Sequence, residues 1–196
     1  MRTGLFGGTF DPIHIGHLFM AETVCSDFPL DRIVFIPAAQ PPHKNVDVLT
    51  AAVHRMKMVQ LAVQGNDRFE VSDYEINKGA VSYTIETVRW FQNSKEFGSD
   101  ELFLLMGADS LLEIGTWKNP DELFRTIPVI VFGRSHSNIQ EVDARFKDQF
   151  QLIKLPLCDI SSTEIRKRVR KGLSIKFWAP NSVASYIQQE RLYQSS

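Results

Sequence analysis

Short apolar runs alternate with helix-patterned segments along nearly the whole chain, and that alternation most restricts what it can fold into. Residues 3–6 read as a strand that ends in Gly7-Gly8, and residues 15–25 follow with Leu18, Ala21 and Cys25 at helical spacing. Residues 32–37 form a β-branched run, hence a buried strand. Ala52, Met56, Val59 and Val63 mark one face of a second helix, and residues 68–71 make a short strand. Ser82 opens a helix through about Phe91, and residues 101–106 are a strongly apolar strand closed by Gly107. Residues 120–125 form a short helix with Pro120 near its first turn. Residues 127–132 and 150–155 are the remaining strands. Ser161 or Ser162 caps a basic helix that Gly172 stops, and residues 181–191 form a closing helix. The expected fold is α/β, a Rossmann-like open parallel sheet with helices on both faces. The polar stretch 135–148 reads as a surface excursion. No boundary divides residues 1–196, so a single domain is expected.

Composition narrows the function classes. A chain of 196 residues with 43% hydrophobic residues carries a sizeable core. The 22 Lys and Arg nearly cancel the 23 Asp and Glu, which leaves no global basic footprint for nucleic acid. Cys25 and Cys158 are far apart and neither sits in a CxxC pair, which argues against a disulfide framework or a cysteine-rich zinc site. The expected compartment is reducing and cytoplasmic. No signal peptide or membrane span is visible. Oligomeric state is left open, a homo-oligomer included.

The densest motif is the run from Gly7 to His17, GGTFDPIHIGH, between the first strand and the first helix. Open α/β sheets bind ligands outside the carboxyl ends of their strands, where this turn sits. Gly7 and Gly8 can expose backbone N–H groups to an anion. The helix from Ile15 aims its positive end at the same spot. His14 and His17 share one face of its first turn, and Gly16 between them permits close approach of a ligand. Both imidazoles can donate to phosphate oxygens, more strongly if protonated. Taken alone, the pair also fits ordinary surface or core polarity. A zinc site is a third reading, which no nearby cysteine or third histidine supports.

Four further motifs follow. Pro41-Pro42-His43-Lys44 is a stiff loop holding a cation, or an exposed loop with an ordinary lysine. Ser82-Tyr83-Thr84 precedes a helix, where Ser82 reads as a cap. Gly107 and Asp109 repeat the strand-to-turn logic; Asp109 can accept from ribose hydroxyls, and Trp117 either stacks on a ring or packs in the core. Ile160-Ser161-Ser162-Thr163 leads into Arg166, which with the hydroxyls and helix N–H groups can grip phosphates; a capped helix with a solvated basic face is the plainer reading.

Together these strings resemble the HIGH-type nucleotidyltransferase superfamily, with the signature standing here as His14-Ile15-Gly16-His17. The form GGTFDPIHIGH is similar to that of the bacterial nicotinate-nucleotide adenylyltransferases, and five motifs occur in that family's order. The resemblance implies the nucleotidyltransferase fold and adenylyl transfer from ATP to nicotinate mononucleotide, a step of NAD biosynthesis, with Mg²⁺ riding on the ATP phosphates and no metal held by the protein. It implies catalytic roles for His14, His17, Lys44 and Arg166. The ATP side would take Gly7, Gly8, Thr9, Phe10, His14, Gly16, His17, Gly107, Asp109, Ile160, Ser161, Ser162, Thr163 and Arg166. The mononucleotide side would take Gly8, Thr9, Phe10, Lys44, Ser82, Tyr83, Thr84, Trp117, Lys118 and Arg134, with the nicotinate carboxylate near Thr84. Lys118 stands where many relatives have Tyr, and Arg134-Ser135-His136 where many have R-P-G. Nicotinamide mononucleotide or phosphopantetheine as acceptor, and a non-catalytic nucleotide sensor on the same fold, are the rival readings.

Overall fold

The computed structural model describes residues 1–41, 49–134, 141–156 and 158–194, with Arg134 described in its backbone alone. Six strands form one sheet: β1 (Arg2–Gly8), β2 (Arg32–Pro37), β3 (Phe69–Val71), β4 (Glu101–Gly107), β5 (Val129–Arg134) and β6 (Phe150–Leu155). Their order is β3-β2-β1-β4-β5-β6, and every neighbouring pair is parallel. The helices are α1 (Ile15–Asp27), α2 (Ala52–Val63), α3 (Tyr74–Lys78), α4 (Thr84–Asn93), α5 (Ala108–Leu112), α6 (Pro120–Thr126), α7 (Ser162–Arg170) and α8 (Asn181–Gln189).

Successive strand residues point to opposite faces, so a strand buried on both sides must be apolar throughout. Phe6, Phe35 and Leu105 pack on one face with Val24 of α1, Met58 of α2, Ile165 of α7 and Val183 of α8. Their neighbours Leu5, Val34 and Leu104 pack on the other with Ile85 and Phe91 of α4, Leu111 of α5 and Leu123 of α6. From β1 the chain builds outward to β2 and β3, then crosses to β4 on the far side. The carboxyl ends of β1 and β4 therefore bound the crevice expected where strand order reverses.

The expected fold class is the observed one, and several local readings change. β1 starts at Arg2 and ends in the two glycines as read, with Gly8 paired to Pro37. β5 starts at Val129, two residues later than the apolar run suggests. Helices α3 and α5 were not expected; five residues each are too few to show a period. Ser82 is not a helix cap: Tyr83 holds that position, and the Ser82 hydroxyl donates to the Ala80 carbonyl at 3.4 Å. The buried residues of α2 are Arg55, Met58, Val59 and Val63, with Met56 only half-buried. The helix is rotated because Arg55 finds carbonyl partners inside. In the stretch read as a surface excursion, Val142 and Phe146 are buried, Phe146 stacked on Phe124 at 4.7 Å. At α7 the choice of cap resolves to Ser161, whose hydroxyl accepts from the Glu164 N–H at 3.2 Å. Among the described residues, no helix is long and apolar enough to cross a membrane.

Candidate functional site

After β1 the chain turns sharply. Phe10 takes a left-handed φ of 49°, and the next peptide, Asp11–Pro12, is cis. The Phe10 ring lies on Gly8 so closely that a Cβ there would sit 2.8 Å from it. Gly8 thus makes room for a ring, beyond any N–H it offers an anion. At Gly7 and Gly107 a Cβ would meet nothing within 4 Å, so both leave open space at the strand ends.

Phe10 meets the His17 ring edge-on, centroids 5.1 Å apart. The His14 and His17 rings lie 3.7 Å apart. The His14 backbone N–H donates to His17 Nδ1 at 3.2 Å. An accepting Nδ1 leaves the proton of neutral His17 on Nε2, which fixes that nitrogen as its donor. His14 is only 5% exposed, and its Nδ1 has no protein partner. Burial lowers its pKa to about 4. His14 is therefore neutral near pH 7 and would donate as a neutral imidazole. Gly16 also makes room for a neighbouring ring: a Cβ there would lie 3.0 Å from His14 Nδ1, and the residue lines the smaller of the two cavities at this site.

The start of α7 closes over this turn. The Ser162 hydroxyl donates to the Pro12 carbonyl at 2.9 Å, so it is occupied within the protein. Helix geometry leaves the N–H groups of Ser162 and Thr163 without intrahelical acceptors. Arg166 donates from Nη1 to the Asp11 carbonyl at 2.7 Å and from Nη2 to Thr163 Oγ1 at 3.3 Å. Behind the turn, the Tyr193 hydroxyl donates to Asp11 Oδ1 at 2.7 Å, and burial raises the Tyr193 pKa. Arg55, 1% exposed, donates to the carbonyls of Thr50, Thr9 and Ala39 at 2.9, 2.8 and 2.9 Å. Burial pushes its guanidinium below the usual value, Asp11 opposing.

Two cavities meet here. The larger, about 640 Å³, runs from Ser82, Tyr83 and Thr84 past Gly7, Gly8, Thr9 and Phe10 to Thr163 and Arg166, with Trp117 and Lys118 on its wall. The smaller, about 250 Å³, is lined by His14, Gly16, Phe132, Cys158, Ile160 and Ser161. His17, Gly107, Asp109 and Ser162 line both. Trp117 is half-buried, at once cavity wall and packed against the core. Lys44 lies outside the described residues. Arg134 closes β5, but its side chain and residues 135 and 136 lie outside them too.

Three residues of this neighbourhood escaped the sequence. Arg55 left no trace, since His54, Lys57 and Gln60 share its helix and a charge there reads as one more exposed polar residue. Glu75 lines the larger cavity from α3; burial raises its carboxyl pKa, while the Thr87 hydroxyl donates to it at 2.6 Å. Neither Glu75 nor Tyr193 carries a sequence signal, because their partners are set by the fold. Among the described residues, no three His, Cys, Asp or Glu cluster closely enough to hold a metal ion.

Comparison with known proteins adds the family. A cytidylyltransferase-like family model matches residues 5–168. A protein of Caldicellulosiruptor saccharolyticus named "Probable nicotinate-nucleotide adenylyltransferase" is 39% identical over 200 residues, covering 99% of this chain and 100% of that protein. One of the same name from Thermoanaerobacter is 41% identical over 202 residues, covering 99% and 95%. Among solved structures, the Plasmodium falciparum nicotinic acid mononucleotide adenylyltransferase complexed with NaAD superposes with a TM-score of 0.79 over 98% of this chain and 97% of that one. It is 19% identical, a likeness of fold. The chain belongs to the cytidylyltransferase-like nucleotidyltransferases and, within them, to the nicotinate-nucleotide adenylyltransferase family.

Proposed function

We propose that this protein transfers the adenylyl group of ATP to the 5′-phosphate of nicotinate mononucleotide, releasing pyrophosphate and forming nicotinate adenine dinucleotide for NAD biosynthesis. The observation that carries the reading is the position of His17 where two cavities join. The smaller has room for the adenylate end of ATP, the larger for the acceptor and the triphosphate. The attacking phosphate is already anionic near neutral pH, so no protein nucleophile is required. It displaces pyrophosphate from the α-phosphorus in line, and the protein's part is positioning and charge stabilisation.

In this reading His17 donates from Nε2 to the α-phosphate as charge gathers there. His14 stays neutral, supports the His17 ring and offers a second imidazole face. Arg166, already anchored on Asp11, holds the departing pyrophosphate with the N–H groups of Ser162 and Thr163. Lys44 bridges charge between both substrates. Asp109 takes the ribose hydroxyls. The nicotinate ring lies on Trp117, with its carboxylate toward the α4 N–H groups beside Thr84. Asp11, Glu75, Asp109 and Glu113 line the larger cavity without clustering as a metal site among the described residues, and Mg²⁺ would enter on the ATP phosphates as part of the substrate. The ion neutralises triphosphate charge. The whole chain acts as one domain, and its two free cysteines suit a reducing cytoplasm.

The test is pyrophosphate release with ATP and Mg²⁺, with nicotinate and nicotinamide mononucleotides in parallel. Preference for the nicotinate form is expected. Turnover of neither would overturn the reading.

A further inference from the structure

The rim of the larger cavity carries charges that the reaction itself does not use. Lys118 lines that cavity, and its ammonium sits 4.3 Å from the centroid of the Tyr83 ring. The same ammonium donates to Glu86 Oε1 at 2.6 Å. The other carboxylate oxygen, Oε2, accepts from Lys78 Nζ, also at 2.6 Å. Glu86 lies in the first turn of α4, next to the end where the Thr84 and Ile85 N–H groups lack intrahelical acceptors. One carboxylate thus serves two cations, and the cluster carries a formal charge of plus one beside those donors. Glu75 also lines the cavity, and burial raises its carboxyl pKa.

The geometry points to the Lys78–Glu86–Lys118 cluster as a specificity determinant that selects a carboxylate over a neutral amide on the acceptor's ring. This rests on the proposed reaction and adds to it a reason for discrimination. The two candidate acceptors differ by one unit of charge at the ring substituent and share everything else. The cluster's single net positive charge favours the anionic one without needing direct contact. Two unit charges roughly 6 Å apart in a water-like medium shift an equilibrium about threefold. The carboxyl groups of Asp11, Glu75, Asp109 and Glu113 line the same cavity but are common to every variant, so they drop out of the comparison.

The experiment is the ratio of kcat/KM for nicotinate over nicotinamide mononucleotide, each pair measured on one preparation so that the fraction folded cancels. Glu86→Gln removes the negative member and is expected to raise the ratio about threefold. Lys78→Met, at a residue that does not line the cavity, is expected to lower it by a similar factor, and Lys118→Met to lower it at least as much. Sodium chloride at about 1 M shrinks the screening length to about 3 Å and should compress all of these differences. If only Lys118→Met moves the ratio, a local contact replaces the charge cluster and the proposal is overturned. The same holds if Glu86→Gln lowers the ratio, or if no variant changes it. A wild-type protein that turns over neither mononucleotide fails the reaction and not this cluster.

Discussion

Two imidazoles three residues apart have unequal environments, and the difference sets their uses. His17 accepts a backbone N–H at Nδ1, which leaves Nε2 to donate. Removing that donor by His17→Ala should lower kcat ~10²–10³-fold with the circular dichroism spectrum unchanged. Activity within a few fold of wild type would remove His17 from the chemistry. His14 is buried with its pKa lowered to about 4 from 6.5. Between those values the unfolded chain binds the proton that the folded chain refuses. Stability is therefore complete above about pH 6.5 and is lost as pH falls toward 4, by about 2 kcal/mol at pH 5. Urea titrations at pH 7.5 and pH 5 should show a smaller loss in His14→Gln than in wild type; equal losses would assign the effect to another group. The sequence made these two histidines legible as a pair, through their spacing and the strings around them. Their asymmetry was not legible, because burial and the Nδ1 contact depend on how the turn closes.

At the scale of elements, the first turn of α4 shows how a short helix can hold a longer one in place. Glu75, on five-residue α3, takes the Thr87 hydroxyl one turn beyond Thr84. Both residues are buried. Thr87→Val would take the 2.6 Å hydroxyl donor from a desolvated carboxyl, and is expected to cost about 1–3 kcal/mol in urea unfolding. Adding Glu75→Gln should recover part of that loss; a double variant no better than Thr87→Val alone would show that the pair is not coupled. The strands were readable because a strand buried on both faces must be apolar along its length, as residues 32–37 and 101–106 are. Helix α3 was not, since five residues show no period. Arg55 misled the reading of α2, because a buried arginine looks like an exposed one until its three carbonyl acceptors are in place.

Across the whole molecule, the turn after β1 is held by segments far from it in sequence. Arg166 grips the Asp11 carbonyl from α7, and Tyr193 grips the Asp11 carboxylate from beyond α8. Tyr193→Phe removes one hydroxyl and should cost about 1–3 kcal/mol, as for other bonds to buried charged groups. It should also lower kcat, because Asp11 is the anchor of Arg166. A loss of thermal stability with kcat unchanged would reduce Tyr193 to packing. The α/β class and its order of elements followed from the alternating pattern, whereas the Asp11–Tyr193 bond joins residues 182 positions apart and leaves no local trace. That separation has a consequence in time. On the ribosome, Asp11 is made early, and the strand leading to it can begin to pair as β2 and β4 emerge. Its hydroxyl partner is translated only after all six strands. A nascent chain that stops short of Tyr193 carries both histidines, Arg55 and Arg166 around a turn whose Asp11 side chain still lacks its hydroxyl donor.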